Sequence, residues 1–166
     1  MDILLGRRSI RKYTRQPVPD AWILALLRAA MAAPSAGNQQ PWEFVVIRDS
    51  SVTKHIPSFH PHAQMAPEAP VVIAVCGNLH NEKHAGMWVQ DCAAATENLL
   101  LAAHAKGLGA VWLGIYPRES RLAGMKKLLQ LPDHIVPFAV IPVGFPGEQK
   151  PPAERFDETK IHYNRW

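Results

Sequence analysis

Apolar and polar positions fall into blocks along the chain, and each block predicts an element. Residues 1–15 form a basic opening, and Pro17 and Pro19 bracket a short extended piece. Asp20 is expected to cap a helix running to about Ala33, because its carboxylate can accept from the free N–H groups there, with Pro34 stopping the helix. Residues 34–41 form a polar loop of turn formers. Residues 42–48, aromatic and β-branched with weak alternation, predict a strand. Residues 50–67 have no period and read as irregular. The apolar run 70–76, bounded by Pro70 and Gly77, predicts a buried strand.

The longest block, 82–106, has no proline and one glycine, ends at Gly107 and predicts the main helix. Its apolar residues, from Met87, Trp88 and Val89 to Leu101, Ala102 and Ala103, point in nearly every direction. A helix apolar all round is buried on all sides, and one chain has little material to do that. The economical expectation is a homodimer built on this helix. Residues 109–116 predict a third strand, 118–129 an amphipathic helix with Lys126 and Lys127 at its C-terminal end, and 135–143 a fourth strand. Residues 144–166 are a proline- and charge-rich tail whose closing aromatic residues suggest docking. The mixture predicts an α+β fold with a mixed sheet, in a single domain spanning 1–166.

Composition narrows the function classes. The chain has 166 residues and is 48% apolar and 19% charged, which excludes a disordered segment and suits one domain with a core. No run reaches the roughly 18–20 apolar residues of a membrane span, and the N-terminus does not read as a signal peptide. Cys76 and Cys92 lie inside apolar blocks, as expected of free thiols in a reducing cytoplasm. The net charge of +4 leaves nucleic acid, an acidic membrane or a phosphorylated small molecule as partners.

Three constellations carry chemistry. Arg7-Arg8-Ser9-Ile10-Arg11 places three guanidiniums and a hydroxyl within five residues, a donor set suited to phosphate oxygens; its plain alternatives are a solvated basic arm or a nucleic-acid arm. The rest of the chain shows no basic stripe with interleaved aromatic residues, which argues against nucleic acid. The loop from Pro34 and Ser35 through Asn38 to Trp42 offers amide and hydroxyl groups to a polar planar ligand, and is otherwise simply a loop. Gly107-Leu108-Gly109 to Gly114 is no dinucleotide fingerprint, since its glycines close a helix and open a strand. Gly114, inside a strand, marks a place where a ligand can approach the backbone closely. His80 and His84 lack the zincin arrangement, and no nucleophile elbow exists.

Three segments in fixed order then point to a family. Arg-Arg-Ser-x-Arg at 7–11, Ala-Pro-Ser-Ala-Gly-Asn-Gln-Gln-Pro-Trp-Glu-Phe at 33–44, and the run from Glu97 to Ile115 together resemble the short, single-domain FMN-dependent nitroreductases, and Val143–Glu148 with the tail is also similar. The resemblance implies a mainly antiparallel sheet flanked by helices, a long central helix at a homodimer interface, a tail packing on the dimer and two FMN sites between the chains. It implies that Arg7 and Ser9 hold the phosphate and ribityl chain with Arg8 nearby, and that Arg11 lies at the pyrimidine end. Pro34, Ser35 and Asn38 would come from the second subunit. Trp112, Leu113, Gly114 and Ile115 would run along the ring, Arg155 and Lys150 would return to the phosphate, and His62 and Met65 would approach the pyrimidine edge. The implied activity is reduction of a small acceptor (a nitroaromatic, a quinone or a related compound) by NADH or NADPH. Hydride would pass through flavin N5 in a ping-pong cycle, with the flavin carrying the chemistry and no catalytic side chain. The other readings are a flavin-binding storage or sensor protein and a basic nucleic-acid-binding dimer.

Overall fold

The computed structural model describes residues 1–166. The strands are β1 (Trp42–Ile47), β2 (Val71–Asn78), β3 (Gly109–Ala110), β4 (Leu113–Gly114) and β5 (Ile135–Gly144). The helices are α1 (Asp2–Gly6), α2 (Asp20–Met31), α3 (Ser50–Thr53), α4 (Trp88–Ala105) and α5 (Glu119–Leu129). The sheet order is β1-β2-β5-β3, with β4 also paired to β5, and every strand pair is antiparallel. The parallel element is a single bridge between Ser9 and Ala110. The expected α+β class with a mainly antiparallel sheet is what the chain adopts.

β2 is apolar at every position because both faces of the sheet are covered. Val71, Ile73 and Val75 face α2 and α4, packing with Leu26, Leu99 and Ile141. Val72, Ala74 and Cys76 face the opposite side, with Ile56, Leu113 and Met125. The period of two in the pleat thus sorts one apolar run into two cores. The Cys92 thiol contacts the Cys76 carbonyl at 3.6 Å. Both cysteines are free and fully buried, and burial pushes the Cys76 thiol up to about 12.

Several boundaries differ from the sequence expectation. Asp20 is not the cap of α2: Pro19 holds that position, and the Asp20 carboxylate pairs with Arg48 instead. The helix ends at Met31, short of Ala33. The main helix starts at Trp88, not at residue 82. Gly86 takes a left-handed φ of 79°, and the Gln39 Oε1 atom captures the N–H groups of Lys83 and His84 at 2.8 and 3.0 Å. Those two amides therefore serve a distant side chain instead of a helical turn. The strand expected at 109–116 is broken into β3 and β4. The opening contains α1, and the irregular 50–67 segment contains α3 and a short 3₁₀ turn at Ile56–Ser58. In the tail, Phe156, Tyr163 and Trp166 are exposed on the single chain.

α4 buries one side: Trp88, Cys92, Ala95, Leu99, Leu100 and Ala103 are within the core. Val89, Ala93, Ala94, Leu101 and Ala102 remain only partly covered. Beside them a shallow apolar groove is lined by Ile3, Ala29, Ala32, Leu101, Ala102 and Ala105. No helix is long and apolar enough to cross a membrane.

Candidate functional site

Two of the three sequence constellations meet in the single chain. The segment 7–11 runs beside β3: Ser9 bridges to Ala110, and the Ile10 N–H donates to the Ala110 carbonyl at 3.0 Å. This close approach depends on Gly109, where a Cβ would lie 2.6 Å from Ile10 Cγ2. The third constellation, reaching Gly114, therefore starts where the first one docks.

The guanidiniums of that segment are held differently. Arg7 Nε donates to Glu97 Oε1 on α4 at 3.1 Å, with its side chain mostly buried. Arg8 donates to three carbonyls, those of Leu5, Arg7 and Pro151, at 2.7–2.8 Å. Arg11 is exposed; its N–H donates to Glu148 Oε1 at 2.6 Å. That bond, followed by the nearby Lys150 charge, holds the Glu148 carboxyl below its usual range. Arg8 and Lys150 share the wall of a cavity of about 330 Å³ with His104 and Glu148. Arg8 and Arg155 line a neighbouring cleft with Leu4 and Leu5. The opening and the tail thus gather Arg8, Lys150 and Arg155 into one cationic region able to receive an anionic group.

Gly114 sits on a free edge. Ile115 is fully buried, and its N–H donates to the Phe138 carbonyl at 3.0 Å. In an antiparallel ladder the next pair, Gly114 with Ala139, then turns its backbone groups away from β5. The Gly114 carbonyl accepts from His60 Nε2 at 3.0 Å and Arg121 Nη1 at 2.7 Å, and the same ladder geometry turns its N–H away from β5. A Cβ added at Gly114 would meet nothing within 4 Å. A backbone donor turned off the sheet beside open space is the arrangement that a flat, acceptor-bearing ring fits. Leu113 is buried against Val140, and Trp112 packs edge-on to Phe138 with centroids 5.5 Å apart. His62, exposed, and Met65, half-buried, flank buried His60.

The second constellation is not brought to the other two within one chain. The loop 34–41 is tied to α4, with no hydrogen bond to residues 7–11 or 112–115. Asp91 is 4% exposed; its Oδ1 accepts the Ala36 N–H at 2.9 Å and its Oδ2 accepts Gln39 Nε2 at 2.6 Å. Ser35 Oγ accepts the Gln40 N–H at 3.1 Å. Gly37, Asn38 and Gln40 all take positive φ, from 47° to 55°, so the loop folds tightly over this anchor. Pro34 and Asn38 are exposed. Sequence reasoning missed Asp91 and Arg121, gave Gln39 no role of its own within the loop it singled out, and weighed His60 only as a metal ligand paired with His62. A single aspartate in the apolar helix block was the local signal for Asp91; Arg121 carried none. His80 stacks on His134 at 4.0 Å and His84 lies over Gly37. No three metal-ligand side chains cluster anywhere.

Comparison with known proteins adds to this geometry. The model of the family described as "Nitroreductase family" matches residues 4–66 and 54–145. A Methanothermobacter thermautotrophicus protein, provisionally named NADH dehydrogenase/NAD(P)H nitroreductase, is 47% identical, covering 100% of this chain and 88% of its own length. A crystal structure from Clostridium acetobutylicum, provisionally named NADH oxidase, superposes with a TM-score of 0.96 at 44% identity, covering 99% of this chain and 100% of that one. A provisionally named nitroreductase from Desulfovibrio desulfuricans, solved in complex with FMN, has a TM-score of 0.86 at 30% identity, covering 99% and 96%.

Proposed function

Because this chain belongs to the nitroreductase family, we propose that it holds FMN between two copies of itself and passes reducing equivalents from NADH or NADPH to a small acceptor, a nitroaromatic, a quinone or a related compound, in a ping-pong cycle. An NAD(P)H-dependent oxidoreductase activity accords with its relatives' names, and FMN with the Desulfovibrio complex. The observation that carries the reading is Gly114: a backbone donor turned away from β5, on a strand edge, beside space that no side chain fills.

FMN, when bound, supplies the hydride chemistry. The chain's residues bind and orient it. Arg7, Ser9, Arg155 and, more weakly, Arg8 and Lys150 hold the phosphate and ribityl end, since guanidinium forks match phosphate oxygens. Arg11 places a positive charge at the pyrimidine end, with His62 and Met65 nearby. Trp112, Leu113, Gly114 and Ile115 run along the ring, and the Gly114 N–H donates at its reactive edge. No side chain acts as a general acid or base.

Pro34, Ser35 and Asn38 belong to the second subunit's contribution. Two features support this. The loop stands apart from residues 7–11 in its own chain, and the outer side of α4 is apolar and only partly covered. A homodimer seated on that side, with Ile3, Leu4, Leu5, Phe156, Tyr163 and Trp166 also exposed, buries a face that water otherwise meets.

The test is optical. Purified protein is expected to be yellow, with bands close to those of free FMN, and to bleach when NADH or NADPH is added without oxygen. A yellow protein that neither donor reduces favours flavin storage or sensing. A colourless protein that takes up no FMN on titration ends the reading.

A further inference from the structure

Along the edge of Gly114 that faces away from β5 stand two side chains to which the flavin reading gives no task. His60 is 1% exposed, and both its ring nitrogens are engaged. Nδ1 accepts the His62 N–H at 3.3 Å, so Nε2 carries the proton and donates to the Gly114 carbonyl at 3.0 Å. Arg121, in the first turn of α5, donates to the same oxygen at 2.7 Å and has no carboxylate partner. The two donors come from unrelated elements, the 60–62 turn and α5, and converge on one atom.

That convergence answers a mechanical problem. A ring can lie against Gly114 only because no Cβ stands there, but the missing Cβ also leaves the backbone free to rotate. β4 is two residues long, and Gly114 is its last. The Ile115 N–H bond to Phe138 and the two donors on the Gly114 carbonyl hold opposite ends of one peptide plane, the one that follows Gly114. Leu113, paired with Val140, holds the plane before it, so the Gly114 torsions are bracketed and its N–H keeps one direction.

We propose that His60 and Arg121 are positioning residues for the flavin chemistry: by pinning the Gly114 carbonyl, they fix the Gly114 torsions and with them the direction in which its N–H is presented to the ring. The proposal rests on the FMN reading above. Both act through the backbone of Gly114, and preorganised donors of this kind act without reorganising during reaction.

The experiment compares the FMN-loaded wild type with His60→Leu, His60→Gln and Arg121→Met. Four quantities are read: FMN stoichiometry, the flavin absorption band, its midpoint potential, and the rate of anaerobic bleaching at saturating NADH. His60→Leu and Arg121→Met are expected to keep FMN but to shift band and potential and to slow bleaching about tenfold. His60→Gln, whose side-chain N–H can still reach the carbonyl, is expected to stay near wild type. Unchanged band, potential and rate in both His60→Leu and Arg121→Met overturns the proposal. So does a His60→Gln protein that behaves like His60→Leu, since the ring would then only fill space. If His60→Leu does not fold, the half-buried Arg121→Met decides alone. A wild type that binds no flavin ends the FMN reading itself, whereas a yellow wild type with indifferent variants ends this inference only.

Discussion

The loop at 34–41 and the strand end at Gly114 are both held by polar side chains from elsewhere in the chain, with opposite chemistry. At the loop the holder is a set of acceptors. The Asp91 carboxylate takes one backbone N–H and the Gln39 amide, and Gln39 passes the link to two more N–H groups before α4. Each member of that network depends on the next, and its centre is buried. At Gly114 the holder is a pair of donors on one carbonyl, and either donor can be lost without leaving that oxygen bare. A serial network of buried acceptors carries stability, because breaking it strands polar groups without water. A pair of donors converging on one atom carries orientation, and the loss of either is felt in a bound ring before it is felt in the fold.

The largest effect that separates the two is expected from Asp91→Ala. It leaves the Ala36 N–H and the Gln39 amide without their partner, at a cost of about 3 kcal/mol in unfolding free energy, measured by urea titration. A loss below about 1 kcal/mol would show that the loop holds without its anchor. Next comes Gly114→Val. A branched side chain suits a strand and its Cβ meets no atom within 4 Å there, so the apo chain is expected to melt near the wild-type temperature while FMN affinity falls at least about tenfold. Loss of both together would make Gly114 a structural glycine.

The smallest effect is a pH dependence. Burial first, and then the Arg121 charge, lower the His60 pKa from its ordinary value. The folded chain therefore holds fewer protons at this site than the unfolded one. The stability that follows is complete above the unfolded value of about 6.5 and is lost as pH falls from there through the folded value. A melting temperature that drops between pH 7.5 and pH 5.5, with a smaller drop in His60→Gln, is the expected pattern. Asp49, Glu148 and Asp157, whose pKa values are also lowered, contribute only in the more acid carboxylate range, and the comparison with His60→Gln isolates this histidine within the window. Equal drops in both proteins would place the acid sensitivity elsewhere.

Much of this molecule was legible along the chain. The apolar run at 71–76 is a strand buried on both faces, the block ending at Gly107 is the main helix, and α5 and β5 lie within a residue of expectation. The segment 7–11 and the glycine at 114 drew attention through residue type alone: guanidiniums with a hydroxyl, and a strand residue without a side chain. Errors gathered where a distant partner overrides a local preference. Asp20 looked like a cap and pairs with Arg48. Residues 82–87 looked helical, but Gln39 takes two of their amides and Gly86 turns left-handed.

The sequence by itself determined the order of the longer helices and strands, the burial of β2 and the cationic character of the opening, since each depends on neighbours within a few turns or a period of two. Only the tertiary structure decided what those elements do to one another. It put Asp91 under a loop more than fifty positions earlier, and His60 and Arg121 on one carbonyl. Such pairings leave no period in the chain, because a hydrogen bond depends on where two groups end up in space and not on their spacing in sequence.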